Sequence, residues 1–225
     1  MDLPAHYNKL YQESKAKIAG GNYEIDELID SKDDCRFGIT LVIRPDQSTK
    51  ANIQHFLDEV KAIDPNQYYY QNSDLHITVM SIISCYVGFE LEQINIQEYV
   101  KLIEDVLLKH RSFKIQFKGL TASPSCILLQ GFLTDTLNEI RDDLRIGFKT
   151  TDLQQSIDKR YAIQTAHSTI IRFKQALKNK DQLLEIVEKY RDFDFGTFDV
   201  QEMELVYNDW YQRKKFVKKL HEFRL

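Results

Sequence analysis

The chain has 225 residues, 43% of them hydrophobic and 28% charged, a balance ordinary for a globular protein. A formal charge of −4 and a pI near 5.9 count against a protein that grips duplex nucleic acid through a basic face, but do not exclude a local pocket for a small or single-stranded phosphate. No stretch approaches the roughly 18 apolar residues of a membrane span, Met1 to Leu10 has no secretory pattern, and Cys35, Cys85 and Cys126 share no metal or redox spacing, so the expectation is a cytoplasmic monomer with no membrane partner.

Only eight glycines and four prolines punctuate the chain, and no Ser/Gly/Pro-rich linker divides it, so residues 1–225 read as one domain. Residues 1–32 read as a helical N-terminal extension broken at Gly20-Gly21. Arg36 to Ile43 is β-branched and apolar and predicts a strand. Ser48 caps a helix carrying Ile53, Phe56, Leu57, Val60 and Ile63, which Pro65 ends. Leu75 to Ile83 predicts a second strand. Ile96, Val100, Ile103 and Leu107 mark a second helix, closed by the cations Lys109, His110 and Arg111.

The second half repeats this order. Phe113 to Phe117 alternates and Cys126 to Leu133 is an apolar run, which together predict paired strands. Thr134 caps a helix with Leu137, Ile140, Leu144 and Phe148 on one face. A strand within Tyr161 to Phe173, a helix over Asp181 to Tyr190 and a strand over Thr197 to Tyr207 follow. The basic stretch Arg213 to Arg224 reads as the solvated face of a C-terminal helix. The paired strands argue for an α+β arrangement with antiparallel sheets, against parallel βαβ units.

Two predicted strands hold one pattern, His76-Ile77-Thr78-Val79 and His167-Ser168-Thr169-Ile170. Strand side chains alternate faces, so each strand presents an imidazole and a hydroxyl together while its aliphatic residues turn to the core. Two imidazoles and two hydroxyls suit cleavage of a phosphodiester without a metal. One neutral imidazole takes a proton from the attacking oxygen, the other gives one to the leaving oxygen, and ordinary histidine near pH 6.5 offers both forms. The threonine hydroxyls hold the non-bridging oxygens. A third match, His110-Arg111-Ser112, falls at a helix end without apolar flanks and reads as accidental. His-x-Thr lacks the carboxylate or cysteine ligands of a metallohydrolase, and no cysteine sits in a nucleophile turn.

On these motifs the chain resembles the two-histidine (2H) phosphoesterase superfamily, which includes 2′-5′ RNA ligase-like proteins and cyclic phosphodiesterases. The resemblance spans about residues 36 to 207. It implies two similar lobes, each an antiparallel sheet backed by helices, around a central cleft. It further implies hydrolysis of a 2′,3′-cyclic, 2′-5′-linked or related small cyclic nucleotide by His76 and His167, with no cofactor. The alternative is a non-catalytic module of the same fold that binds RNA ends or nucleotides. Arg172 matches the basic residue that often follows the second motif, although strict alternation points it away from His167 unless the strand ends or bulges there. Met80 to Ile83 departs from the family's usual continuation of the first motif. Among Phe37, Tyr68, Tyr69, Tyr70, Tyr86, Tyr161, Tyr207 and Trp210, the best placed to stack a base is Tyr161, ahead of His167 and after Lys159-Arg160. Asp74, two residues before His76, is a candidate to orient its imidazole.

Overall fold

The computed structural model describes residues 2–133 and 135–225. The predicted Thr134 cap lies outside the described residues, and Asp135 at the N-cap of the helix that follows makes no side-chain capping bond. Nine strands form two antiparallel sheets among the described residues. In the first sheet the order is β3 (Ile77–Val87), β1 (Arg36–Ile43), β8 (Glu202–Asp209), β9 (Lys218–Arg224). In the second it is β2 (Tyr68–Tyr69), β6 (Ser168–Arg172), β5 (Cys126–Leu133), β4 (Phe113–Ser123), β7 (Asp194–Val200). Helices α1 (Leu3–Ala19), α2 (Gln47–Ile63) and α5 (Lys180–Lys189) pack against the second sheet and one another, whereas α3 (Ile96–Leu107) and α4 (Thr136–Lys149) pair beside the first.

Local chemistry explains the boundaries. Asp46, not Ser48, caps α2, its carboxylate accepting from the Thr49 amide at 2.8 Å. The first helix stops at Ala19, at the break expected at Gly20-Gly21, but the rest of the 1–32 extension is not helical, and residues 20–35 form turns and irregular chain. Nor is α1 an appendage. Its stripe of Tyr7, Tyr11, Ser14 and Ile18 is buried, Ser14 Oγ donates to the Ala122 carbonyl at 2.9 Å, and Tyr7 bonds Gly131 through both its hydroxyl proton and its lone pair.

The predicted C-terminal helix is a strand. β9 pairs with β8, Phe223 turning into the core opposite Met203 while Lys219 pairs with Glu204 and Glu222. Its density of lysines mimics a solvated helix, yet charges of this kind also protect the open edge of a sheet. The closing strand predicted over 197–207 is likewise two strands, β7 and β8. Among the described residues no helix is long and apolar enough to cross a membrane.

Candidate active site

The two sheets are joined at the site by one crossing of the chain. Tyr68 and Tyr69 pair with Arg172 and Ile171 at the edge of the second sheet, and the Tyr70 amide donates to the Ile170 carbonyl. The chain then leaves that sheet and enters the first as β3. His76 closes the crossing and Thr78 is the second residue of β3. His167 likewise precedes β6, whose second residue is Thr169, and the strand expected within 161–173 is Ser168–Arg172. Residues 161–167 lack regular structure.

A cavity of about 200 Å³ lies between the sheets, lined by His76, Thr78, His167, Thr169, Arg172 and Tyr161 among others. All six residues singled out from the sequence therefore face one space. Arg172 reaches it through a bulge. β5 and β6 pair in register at Ile127 with Ile171 and at Leu128 with Thr169, leaving Ile170 as the extra residue, and this returns Arg172 to the face of Thr169. Its Nε donates to the Tyr70 hydroxyl at 3.0 Å, and its Nη1 lies 3.6 Å from a carboxylate oxygen of Asp26. Tyr161 stands at the mouth, 66% exposed.

Each imidazole is tied by its Nδ1, leaving Nε2 for the cavity. His76 Nδ1 donates to the Asp74 carbonyl at 2.7 Å. Asp74 thus orients His76 through its backbone, its carboxylate being taken up by Ser73 Oγ and the Lys214 amide. His167 Nδ1 lies 2.6 Å from Thr165 Oγ1. Burial first, then the Arg44 guanidinium, pushes His76 down to about 3. Burial, then Arg141 and Arg172, pushes His167 down to about 4. The ordinary value near 6.5 expected from the sequence does not hold here, and both rings are neutral at pH 7.

Two aromatics ranked behind Tyr161 from the sequence also line the wall. Trp210 has the Arg36 and Arg160 guanidiniums 4.7 and 4.5 Å from its ring centre. Tyr70 lies with its ring centre 6.4 Å from that of His76. Phe37 and Tyr207 instead stack on each other, their ring centres 5.0 Å apart. Tyr86, 40% exposed, accepts a hydrogen bond from Gln154, and Tyr69 donates to the Asp64 carbonyl. Thr165 and Arg44, which act directly on the imidazoles, escaped sequence reasoning, as neither belongs to a repeated pattern. The third sequence match behaves as expected, His110 Nε2 lying 3.0 Å from Asp143. Among the described residues, no group of three or more His, Cys, Asp or Glu is placed to hold a metal ion.

The family model for the AKAP7 2′5′ RNA ligase-like domain matches residues 39–225. Solved structures share the fold at low identity. TT0787 of Thermus thermophilus is 14% identical, with a TM-score of 0.63, covering 84% of this chain and 97% of that one. E. coli LigT complexed with 3′-AMP is 15% identical, with a TM-score of 0.56, covering 84% and 98%. The same protein has also been solved with ATP, with NADP+ and with phosphate. No curated protein sequence matches.

Proposed function

The chain belongs to the AKAP7 2′5′ RNA ligase-like domain family, within the two-histidine phosphoesterase superfamily, and from that premise we propose that it is a metal-independent phosphodiesterase acting on a 2′,3′-cyclic or 2′-5′-linked nucleotide. The observation that carries this reading is the cavity lined by both His-x-Thr motifs and Arg172, each imidazole tied at Nδ1. The nucleotides and phosphate named for LigT are consistent with the substrate class.

The two histidines divide the work by their tautomers. A carbonyl only accepts, so His76 carries its proton on Nδ1 and holds a bare lone pair on Nε2. That nitrogen takes the proton of the attacking water as its oxygen bonds to phosphorus. The Thr165 hydroxyl suits either tautomer, leaving His167 able to carry a proton on Nε2. His167, protonated when the anionic substrate enters, gives that proton to the leaving ribose oxygen as its bond to phosphorus breaks. One water is consumed, and the protons on the two imidazoles return to their starting places through solvent. Arg172 and the hydroxyls of Thr78 and Thr169 meet the non-bridging oxygens, where charge builds in the transition state.

The test is a substrate panel for the full chain: 2′,3′-cyclic nucleotides, 2′-5′ oligoadenylates and cyclic dinucleotides, with products separated chromatographically. Turnover of the first or second class supports the proposal. Tight binding without turnover of any of them refutes it and leaves a nucleotide-binding module.

A further inference from the structure

Arg141 occupies the apolar face of α4, between Leu137, Ile140 and Leu144, and is 0% exposed. No carboxylate lies within salt-bridge distance of it among the described residues. Its shortest hydrogen bonds go to backbone carbonyls. Nε donates to the Val79 carbonyl at 3.0 Å, while Nη2 donates to the carbonyls of Thr78 and of Thr165, each at 2.9 Å. Nη1 donates to Asn138 Oδ1 at 3.3 Å. β3 is the edge of the first sheet, so its outward carbonyls have no strand partner there. One guanidinium thus joins the backbone of the first motif to the residue whose hydroxyl holds His167 Nδ1.

Burying a charge without a counter-ion is expensive, and an apolar residue of similar volume is often as stable or more so. Stability alone therefore gives little reason for this residue. Resting on the phosphodiesterase reading above, we propose that Arg141 is a positioning residue that sets the spacing of the two His-x-Thr motifs and keeps a fixed positive charge behind His167. The rigid fork suits the task because its donors reach carbonyls of β3 and of the segment leading into β6 at once, which a lysine cannot reproduce. Burial pushes Arg141 down to about 10, so it stays charged at neutral pH. The other charged or titratable groups acting on His167 are Arg172 from β6, His6 from α1 and His76 across the cavity, and each remains in the variants below.

The experiment compares the wild-type chain with Arg141→Lys and Arg141→Gln by steady-state kinetics, thermal unfolding and NMR of the histidine ring protons during two titrations, one of pH and one with inorganic phosphate. In the lysine variant the charge is kept and the fork lost. Its kcat should fall about 10²-fold, the cost of a small misplacement, with KM changed far less and the His167 midpoint where the wild type has it. In the glutamine variant kcat falls similarly and the His167 midpoint rises toward its ordinary value. Wild-type kcat in either folded variant overturns the proposal, as does a loss confined to KM or one that follows the unfolded fraction. If glutamine prevents folding, the lysine arm decides alone. If the wild type turns over no substrate, the phosphodiesterase reading fails, and phosphate still decides on Arg141. Both wild-type imidazoles should respond with one binding constant, and that shared response should break in Arg141→Lys; a shared response unchanged in the variant overturns the proposal.

Discussion

The Nδ1 nitrogen of His76 lies 2.7 Å from the carbonyl oxygen of Asp74, whereas that of His167 meets the hydroxyl of Thr165. The first partner can only accept and the second can do either, so two similar motifs place unlike nitrogens at one cavity. Nitrogen-15 NMR of the histidine rings at pH 7 should find neutral His76 protonated on Nδ1. A His76 ring protonated on Nε2 would contradict its assignment as the base.

The lowered imidazoles set the pH behaviour. Both fold into the neutral form, at about 3 for His76 and about 4 for His167, while in the unfolded chain they titrate near 6.5. The unfolded state therefore binds more protons between these limits. The stability is fully present above about pH 6.5 and is lost as pH falls toward the folded values. Urea midpoints should drop on acidification through this window, and less steeply in a His76→Gln, His167→Gln double variant. Equal slopes in the two proteins would refute the burial of neutral rings.

The same shift acts on catalysis. In the free protein the pair titrates on the acid side of 6.5, and a bound phosphate anion raises it by favouring the imidazolium. The kcat profile should consequently lie at higher pH than that of kcat/KM, and calorimetry in buffers of different ionisation enthalpy should detect proton uptake on phosphate binding near neutrality. Coincident profiles without uptake would show that the anion does not meet the imidazoles.

Thr78 and Thr169 line the same cavity and do not titrate in this range. Replacing either with Ala should lower kcat/KM roughly 10- to 100-fold, the scale of a hydrogen bond to a charged group, without moving the pH limbs. Serine should restore most of the loss because the donor is kept. Full activity in both alanine variants would remove the hydroxyls from the phosphate site.

Gly131 in β5 couples packing to the second motif. A Cβ added there would meet the Ala166 carbonyl oxygen at 2.0 Å, one residue before His167. Gly131→Ala should destabilise the fold by about 1–3 kcal/mol and lower kcat as well. Asp46→Ala, which removes an α2 cap that does not line the cavity, should cost about 1 kcal/mol and leave kcat unchanged. Unfolding midpoints and kcat measured on both variants separate the effects, and a Gly131→Ala protein with wild-type kcat would contradict the coupling.

The strands that carry Thr78 and Thr169, each directly after its histidine, are legible because a β-branched run and a two-residue alternation survive in the amino-acid order. The face of Arg172 is not, since it depends on the extra residue at Ile170, and the adjacent apolar pair Ile170-Ile171 fits a strand buried on both faces as well as a bulge. β9 was misread because the pattern of an edge strand carrying lysines on its open side overlaps that of a polar helix. The crossing from Tyr70 to His76, which brings the motifs together, is a tertiary event with no local signature. Arg141 did leave one: it stands four residues after Leu137 and three before Leu144, on a stripe that is otherwise apolar.

Turnover measured in the presence of EDTA separates phosphodiester cleavage by two histidines from a metal-dependent reaction. The wild-type chain, His76→Ala and His167→Ala are assayed together on the best substrate of the panel, with folding checked by circular dichroism. Two-histidine catalysis leaves wild-type turnover undiminished in the chelator and costs each folded variant roughly 10²–10⁴-fold or more. Wild-type turnover that EDTA abolishes and a divalent metal restores, or activity that persists when either histidine is gone, would contradict it.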